Sequence, residues 1–168
     1  MNIDGLGDET IRLFYDLGFL RDIADIYNLN YDEISKIEGY GEKSVDNLRA
    51  GIEESKLNPF QKVLFAIGIR YVGESASKKI IKNVDSIDKL ANMDIESLSS
   101  IDEIGDKTAK SIADFFSDIN NIQIINKLKS FGLNFYQKDN DIQSAKLNGK
   151  IFVISGVFES HSRDEIKN

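Results

Sequence analysis

The 168-residue chain contains no cysteine, which excludes disulfides, thiolate zinc sites and cysteine nucleophiles. Its single histidine, His161, is a poor candidate for a catalytic base because a lone histidine is usually a surface residue. No run approaches the ~20 apolar residues that a membrane span needs. The N-terminus, MNIDGLGDET, lacks the basic and apolar regions of an export signal. We therefore expect a cytoplasmic protein with no membrane partner and no catalytic or metal-binding residues.

The net charge of −7 argues at first against a nucleic-acid partner, but it is unevenly distributed. Residues 1–50 carry 5 basic and 11 acidic side chains, whereas residues 51–138 carry 12 of each. Lys78, Lys79 and Lys82 form a local basic group, which is typical of a solvated helix face. Charge therefore does not exclude nucleic-acid binding by the middle of the chain.

One short segment recurs four times, as IDGLGDET, IEGYGEKS, IRYVGESA and IDEIGDKT. The last glycines of the four copies lie at positions 7, 41, 73 and 105, spaced by 34, 32 and 32 residues. Isoleucine always stands four residues before this glycine, an apolar residue one before, a small residue three after and a large apolar residue seven after. Repetition in register predicts a repeated structural unit.

Each copy has the pattern of two short helices joined by a tight turn. Asn30 and Asp94 are predicted N-caps of first helices, and Val45, Leu48 and Ile52 form the apolar stripe of a second helix. Short helices cannot bury such stripes alone, so the units must stack. We predict an all-α fold of tandem helix-hairpin-helix units in two pairs.

The two glycines of each turn have different predicted roles. The first supplies a positive φ, although Tyr71 and Glu103 stand at this position in the third and fourth copies. The second precedes a helix whose free N–H groups and dipole favour an anion, usually phosphate. The alternative is that the glycines only separate helices, but four matching copies favour phosphate binding.

The repeated pattern resembles the helix-hairpin-helix motif of DNA repair and replication proteins. Over about residues 1–138 the chain closely resembles the four-hairpin domain of bacterial NAD-dependent DNA ligases, most specifically at AIGIRYVGE (Ala66–Glu74). The segment Leu147–Asn168 is similar to the opening of a BRCT domain, and Leu133–Lys146 is interpreted as a polar linker. The predicted domains are a helix-hairpin-helix domain over 1–138, a linker over 139–146 and a truncated α/β BRCT start over 147–168.

The resemblance implies the DNA-binding portion of a ligase, which grips nicked double-stranded DNA by its phosphate backbone, independently of sequence, in replication and repair. We expect a monomer that acts with the other ligase domains in cis. The alternatives are a stand-alone helix-hairpin-helix DNA-binding module and a protein-interaction module.

The resemblance also implies a set of DNA-contacting residues, formed by the turn backbones and the side chains just beyond them. They are Gly5, Leu6, Gly7, Thr10, Gly39, Tyr40, Gly41, Lys43, Ser44, Arg70, Tyr71, Val72, Gly73, Ser75, Ile104, Gly105, Lys107 and Thr108. Two roles stay open for Arg70: a phosphate or minor-groove contact, or a salt bridge to a carboxylate such as Glu74. Glu103 places an acidic group near the phosphate expected at the fourth turn.

The adenylation lysine of the family lies in a K-x-D-G motif, but Asn2-Ile3-Asp4-Gly5 has asparagine in place of the lysine. The four-cysteine zinc finger is also absent, so the chain is expected to be a C-terminal piece without its own cofactor. NAD, Mg and Zn are expected only in the other domains of the intact enzyme.

The chain alone is therefore expected not to form a covalent AMP adduct when it is incubated with NAD⁺ and Mg²⁺. Intact-mass spectrometry of the purified chain checks this, with a full-length ligase as the positive control. An added mass of one AMP on the chain would contradict the interpretation.

Overall fold

The computed structural model describes residues 1–137, and within that range every regular element is helical. The α-helices are α1 (Asp8–Asp16), α2 (Tyr31–Ile34), α3 (Glu42–Ser55), α4 (Phe60–Ala66), α5 (Glu74–Asn83), α6 (Ile87–Ala91), α7 (Ile95–Ser99), α8 (Asp106–Ser117) and α9 (Ile119–Ser130), with a 3-10 helix at Asp25–Asn28. The all-α prediction for the hairpin region is confirmed. The predicted linker over 139–146 and the BRCT start over 147–168 lie outside the described residues.

Three of the four repeats form complete hairpins, namely α2–α3, α4–α5 and α7–α8, and the first turn leads directly into α1. The predicted N-caps are confirmed. The Asn30 side chain accepts hydrogen bonds from the N–H groups of Asp32 and Glu33, and the Asp94 carboxylate accepts one from Ser97 at 2.8 Å. These caps fix where the short first helices begin.

The first two repeats share one apolar core. Its buried members come from α1, α2, α3 and the segment between α1 and α2; they are Phe14, Leu20, Leu29, Ile34, Val45, Leu48 and Ile52. The predicted stripe of α3 faces this core, because Val45, Leu48 and Ile52 are at most 5% exposed. The two repeats thus bury one another's apolar stripes, which helices this short require for stability.

The third and fourth repeats share a second, larger core, to which α6 and α9 also contribute. It includes the apolar residues beside both turns: Ile69, Val72, Ile101 and Ile104. The corresponding Ile3 and Ile37 of the first pair are only partly buried. The predicted arrangement in two pairs is therefore confirmed, with the tighter packing in the second pair.

Residues between α1 and α2 connect the two cores. Ala24 is buried in the second core although it precedes α2 in the first pair. The Tyr27 ring stacks on Phe131 of the second pair with 6.4 Å between ring centroids. Lys127 Nζ of α9 lies 2.8 Å from the Asp22 carboxylate. The two pairs are thus joined by apolar packing with one ion pair at its edge.

Residues 133–137, which follow α9, were predicted to be part of a polar linker, but they pack against the hairpin domain. Leu133 and Phe135 are buried, at 8% and 4% exposure. The main chain pairs with the segment before α6, where Ile87 N–H donates to Phe135 O at 2.9 Å and Gln137 N–H donates to Asp85 O at 2.7 Å. The interpretation of Leu133–Lys146 as polar linker was therefore wrong for residues 133–137, because the two apolar residues alternate towards the core.

Gly51 lies within α3, where the sequence offers no turn to explain it. A Cβ at this position would lie 2.8 Å from the carbonyl oxygen of Asp4 and 3.0 Å from its nitrogen. The first turn therefore packs backbone to backbone against the second helix of the neighbouring hairpin. Only glycine permits this approach without a shift.

Gly51→Ala is expected to destabilise the protein by about 1–2 kcal/mol, because overpacking against the Asp4 backbone outweighs the better helix propensity of alanine. Thermal unfolding followed by circular dichroism measures the change. The control is Ala50→Gly at the exposed neighbouring position, which reports helix propensity alone. A higher melting temperature for Gly51→Ala would contradict the close approach.

Candidate nucleic-acid interface

The four turns have one backbone conformation. The residue two before the last glycine has a positive φ in every copy: 77° at Gly5, 86° at Gly39, 66° at Tyr71 and 64° at Glu103. Tyrosine and glutamate thus adopt the left-handed conformation that the turn requires, at a steric cost that glycine avoids. In each turn the following N–H donates to the carbonyl of the repeat isoleucine, at 3.0 to 3.2 Å.

The second glycines serve another purpose. Gly7, Gly41, Gly73 and Gly105 are the N-caps of α1, α3, α5 and α8, with φ between −83° and −73°. Any residue can adopt this extended backbone, so the φ and ψ values do not require glycine at these positions. A Cβ at any of the four would meet nothing within 4 Å. The glycines therefore leave open space in front of four helix N-termini.

The helices that follow the turns also lack side-chain caps. None of the four N-cap glycines offers a side-chain acceptor to the first-turn N–H groups. By contrast, α2, α6, α7 and α9 begin with side-chain caps, at Asn30, Ser86, Asp94 and Asp118. Uncapped N–H groups at the positive end of a helix dipole are suited to bind an anion.

An acidic residue follows each second glycine directly: Asp8, Glu42, Glu74 and Asp106. A carboxylate in the first turn of a helix interacts favourably with the dipole, but it repels an approaching phosphate. Attraction for phosphate must therefore come from the main-chain amides and from cationic side chains beside the turns.

The sequence-predicted side chains fall into three environments. Lys43, Ser44, Ser75 and Lys107 are exposed just beyond their turns. Val72 and Ile104 are buried at 3% exposure, so only their backbones are accessible at the turns. Thr10 and Thr108 are partly buried, and the Thr10 hydroxyl accepts a hydrogen bond from the Tyr40 hydroxyl at 3.0 Å. The Thr10–Tyr40 contact joins the first helix α1 to the second turn.

Arg70 lies over the exposed ring of Tyr71, with its guanidinium carbon 4.9 Å from the ring centroid. Among residues 1–137 its partner is thus this ring, and the ion pairs of that range do not include Arg70 with Glu74. Stacking leaves the guanidinium N–H groups at the turn surface. The third turn is accordingly the one with an arginine and an aromatic side chain at its tip.

Lys79 is not simply part of a solvated basic face. Its Nζ lies 2.8 Å from a Glu103 carboxylate oxygen and 3.1 Å from one of Asp102. The hydrogen bonds to Glu103 and Asp102 raise the pKa of Lys79 above its usual value. Sequence reasoning placed Lys79 with Lys78 and Lys82 and missed this contact, because no local spacing relates residue 79 to residue 103.

Within residues 1–137 no group of three or more His, Asp or Glu side chains is arranged to hold a metal ion. In the same range no helix is long and apolar enough to cross a membrane.

Two family models match the chain in the regions that contain the turns. A model described as a SAM-like helix-hairpin-helix tandem matches residues 1–54, and a model described as a helix-hairpin-helix motif matches residues 62–125. The chain contains tandem helix-hairpin-helix motifs. The two matched segments cover most of the two hairpin pairs seen in the structure.

This helix-hairpin-helix chain is also similar to several proteins named DNA ligase. It is 48% identical to the DNA ligase of Bacteroides fragilis over 100% of its own length and 26% of the ligase. The identity is 47% with the Flavobacterium psychrophilum enzyme, over 99% and 25% of the two chains, and 40% with that of Persephonella marina, over 98% and 23%. The chain thus spans about a quarter of these relatives, and the resemblance to bacterial DNA ligase is confirmed.

The positive φ of Tyr71 leads to a prediction about stability. Tyr71→Val is expected to be about 1 kcal/mol less stable than Tyr71→Asn, since asparagine tolerates positive φ and a β-branched residue does not. Both changes remove the same ring, so their difference reports the backbone alone. Urea unfolding measures it, with Lys110→Val and Lys110→Asn in the exposed middle of α8 as the matched helical pair. Equal stabilities of the two Tyr71 variants would contradict the geometry.

Proposed function

We propose that this chain is the DNA-binding portion of a bacterial NAD-dependent DNA ligase and that it holds duplex DNA by its phosphate backbone while a nick is sealed. The observation that carries the proposal is the set of four glycine N-caps, alike in backbone, open in front and without side-chain acceptors. The similarity to DNA ligases along the whole chain supports the same function.

In this proposal phosphate oxygens accept hydrogen bonds from the first-turn N–H groups after Gly7, Gly41, Gly73 and Gly105. Backbone amides carry no information about base identity, so the contacts are independent of DNA sequence. The absence of side chains at the glycines lets the phosphate come within hydrogen-bond distance. Independence of DNA sequence is what an enzyme needs if it must act wherever a strand is interrupted.

The exposed side chains beyond the turns add to this grip. Lys43 and Lys107 supply charge, and Ser44 and Ser75 supply hydroxyl donors at the same helix ends. Arg70, stacked on Tyr71, is directed to a phosphate or to the minor groove, where arginine is favoured. The acidic total charge makes the isolated chain a weak binder whose affinity falls as salt rises.

Weak binding is sufficient if the chain acts beside other domains of one polypeptide. A tethered site meets its DNA at a high effective concentration once the neighbouring domain is bound. We assign NAD, Mg and Zn to those other ligase domains in cis, and a monomeric, cytoplasmic state to the protein. The division into domains at residues 138 and 146 stays a prediction.

The double substitution Gly41→Val with Gly73→Val tests the function. It is expected to weaken binding of a fluorescent nicked duplex by at least about tenfold, because each lost charge-assisted contact contributes about 1.5 kcal/mol. The open space at both positions and their ordinary φ values allow valine without a change of fold. Fluorescence anisotropy at low salt, repeated with a second duplex sequence, gives the affinities.

The matched control is Ala50→Val on the exposed face of α3, far along the helix from its N-terminus. It is expected to leave DNA affinity unchanged. If circular dichroism shows full helix content in the double variant and its affinity equals that of the wild type, the turns are not the phosphate sites. If the wild type binds no duplex at low salt, the DNA-binding function itself is wrong.

A further inference from the structure

The fourth turn presents a problem for the proposed function. It contains Asp102, Glu103 and Asp106, all exposed, with Lys107 as its only cation from the same turn. Two of these carboxylates precede the glycine N-cap at which phosphate would bind. Unless they are neutralised, they repel the phosphate at short range.

The structure supplies a cation from another hairpin. Lys79 on α5 forms ion pairs with both Asp102 and Glu103, at 3.1 Å and 2.8 Å. Its side chain is 29% exposed, less than either carboxylate partner. The ammonium of this lysine, on the second helix of the third hairpin, is therefore paired with both carboxylates of the fourth turn.

A comparison between the two hairpin pairs indicates that this lysine belongs with the acidic turn. Leu13 occupies the place of Lys79 in the first pair, six residues after the N-cap glycine in both. The turn of the second hairpin has Glu38 where the fourth has Asp102, but Gly39 where the fourth has Glu103, so it carries one carboxylate fewer. The same helix position thus holds lysine in the pair whose second turn carries Glu103, and leucine in the pair whose second turn carries Gly39.

We propose that Lys79 is a positioning residue for DNA binding: it binds Asp102 and Glu103, screens their charge and holds them aside, so that the fourth turn accepts a phosphate. The inference rests on the proposed function. Lys79 itself does not contact the DNA in this assignment. Its role is exerted on the turn, through two ion pairs that join the hairpins of the second pair.

The experiment measures the affinity of a fluorescent nicked duplex for Lys79→Gln in two backgrounds. In the wild-type background the substitution is expected to weaken binding about fivefold, because Asp102 and Glu103 then repel the phosphate without a screening cation. In the Asp102→Asn, Glu103→Gln background the same substitution is expected to change affinity by less than about twofold, since no carboxylate remains to be screened. The double background itself should bind at least as well as the wild type.

Two further variants separate positioning from other roles. Lys79→Arg, which retains the ion pairs, is expected to bind like the wild type. Lys82→Gln, which removes one charge from the same helix, should cost less than Lys79→Gln. If the ion pairs only stabilised the fold, the Asp102→Asn, Glu103→Gln background would itself bind DNA less well than the wild type, because removing both carboxylates also breaks the ion pairs.

An equal loss of DNA affinity from Lys79→Gln in both backgrounds would overturn the inference. Lys79 would then act on the DNA directly, as a phosphate ligand or through its long-range charge. No loss in the wild-type background would overturn it as well. Failure of the wild type to bind duplex DNA would instead overturn the proposed function, and the inference with it. Melting temperatures of all variants establish that each affinity belongs to a folded protein.

Discussion

The pairing of hairpins is the constraint on which the rest of this fold depends. Helices of four to fourteen residues form stably only when a neighbour covers their apolar stripes. Pairing brings the first turn so close to α3 that a Cβ at Gly51 would lie only 2.8 Å from the carbonyl oxygen of Asp4. The same arrangement brings Lys79 to the fourth turn and the Tyr40 hydroxyl to Thr10. Turn geometry, core and cross-hairpin contacts therefore follow from one packing requirement.

Much of this was predictable because the sequence repeats. The period defined the hairpins, the N-caps at Asn30 and Asp94, and the apolar stripe of α3, all of which depend on residues close in sequence. What escaped prediction depends on tertiary approach. The role of Gly51, the stacking of Arg70 on Tyr71, the ion pairs of Lys79 and the burial of Phe135 each involve a partner or a packing surface that local spacing does not specify.

The two hairpin pairs are unequal in ways that bear on DNA binding. The first pair is strongly acidic and keeps glycine at both left-handed positions. The second pair is electrically balanced, and it places tyrosine and glutamate there instead. These side chains cost backbone strain, but Tyr71 supports an arginine at the turn surface and Glu103 recruits a lysine. Side-chain chemistry at the turns is thus concentrated in the second pair.

The uncapped helix ends also affect folding. The four helices that follow the repeated turns begin without the side-chain acceptor that gives α2, α6, α7 and α9 their defined starts. In the proposed function a bound phosphate would complete these ends, and the ligand would act as the missing cap. By linkage, a ligand bound only by the native state stabilises it by RT ln(1 + L/Kd), where L is the free ligand concentration. In the free protein the first-turn amides of α1, α3, α5 and α8 should therefore exchange their protons readily, and a bound duplex should slow that exchange.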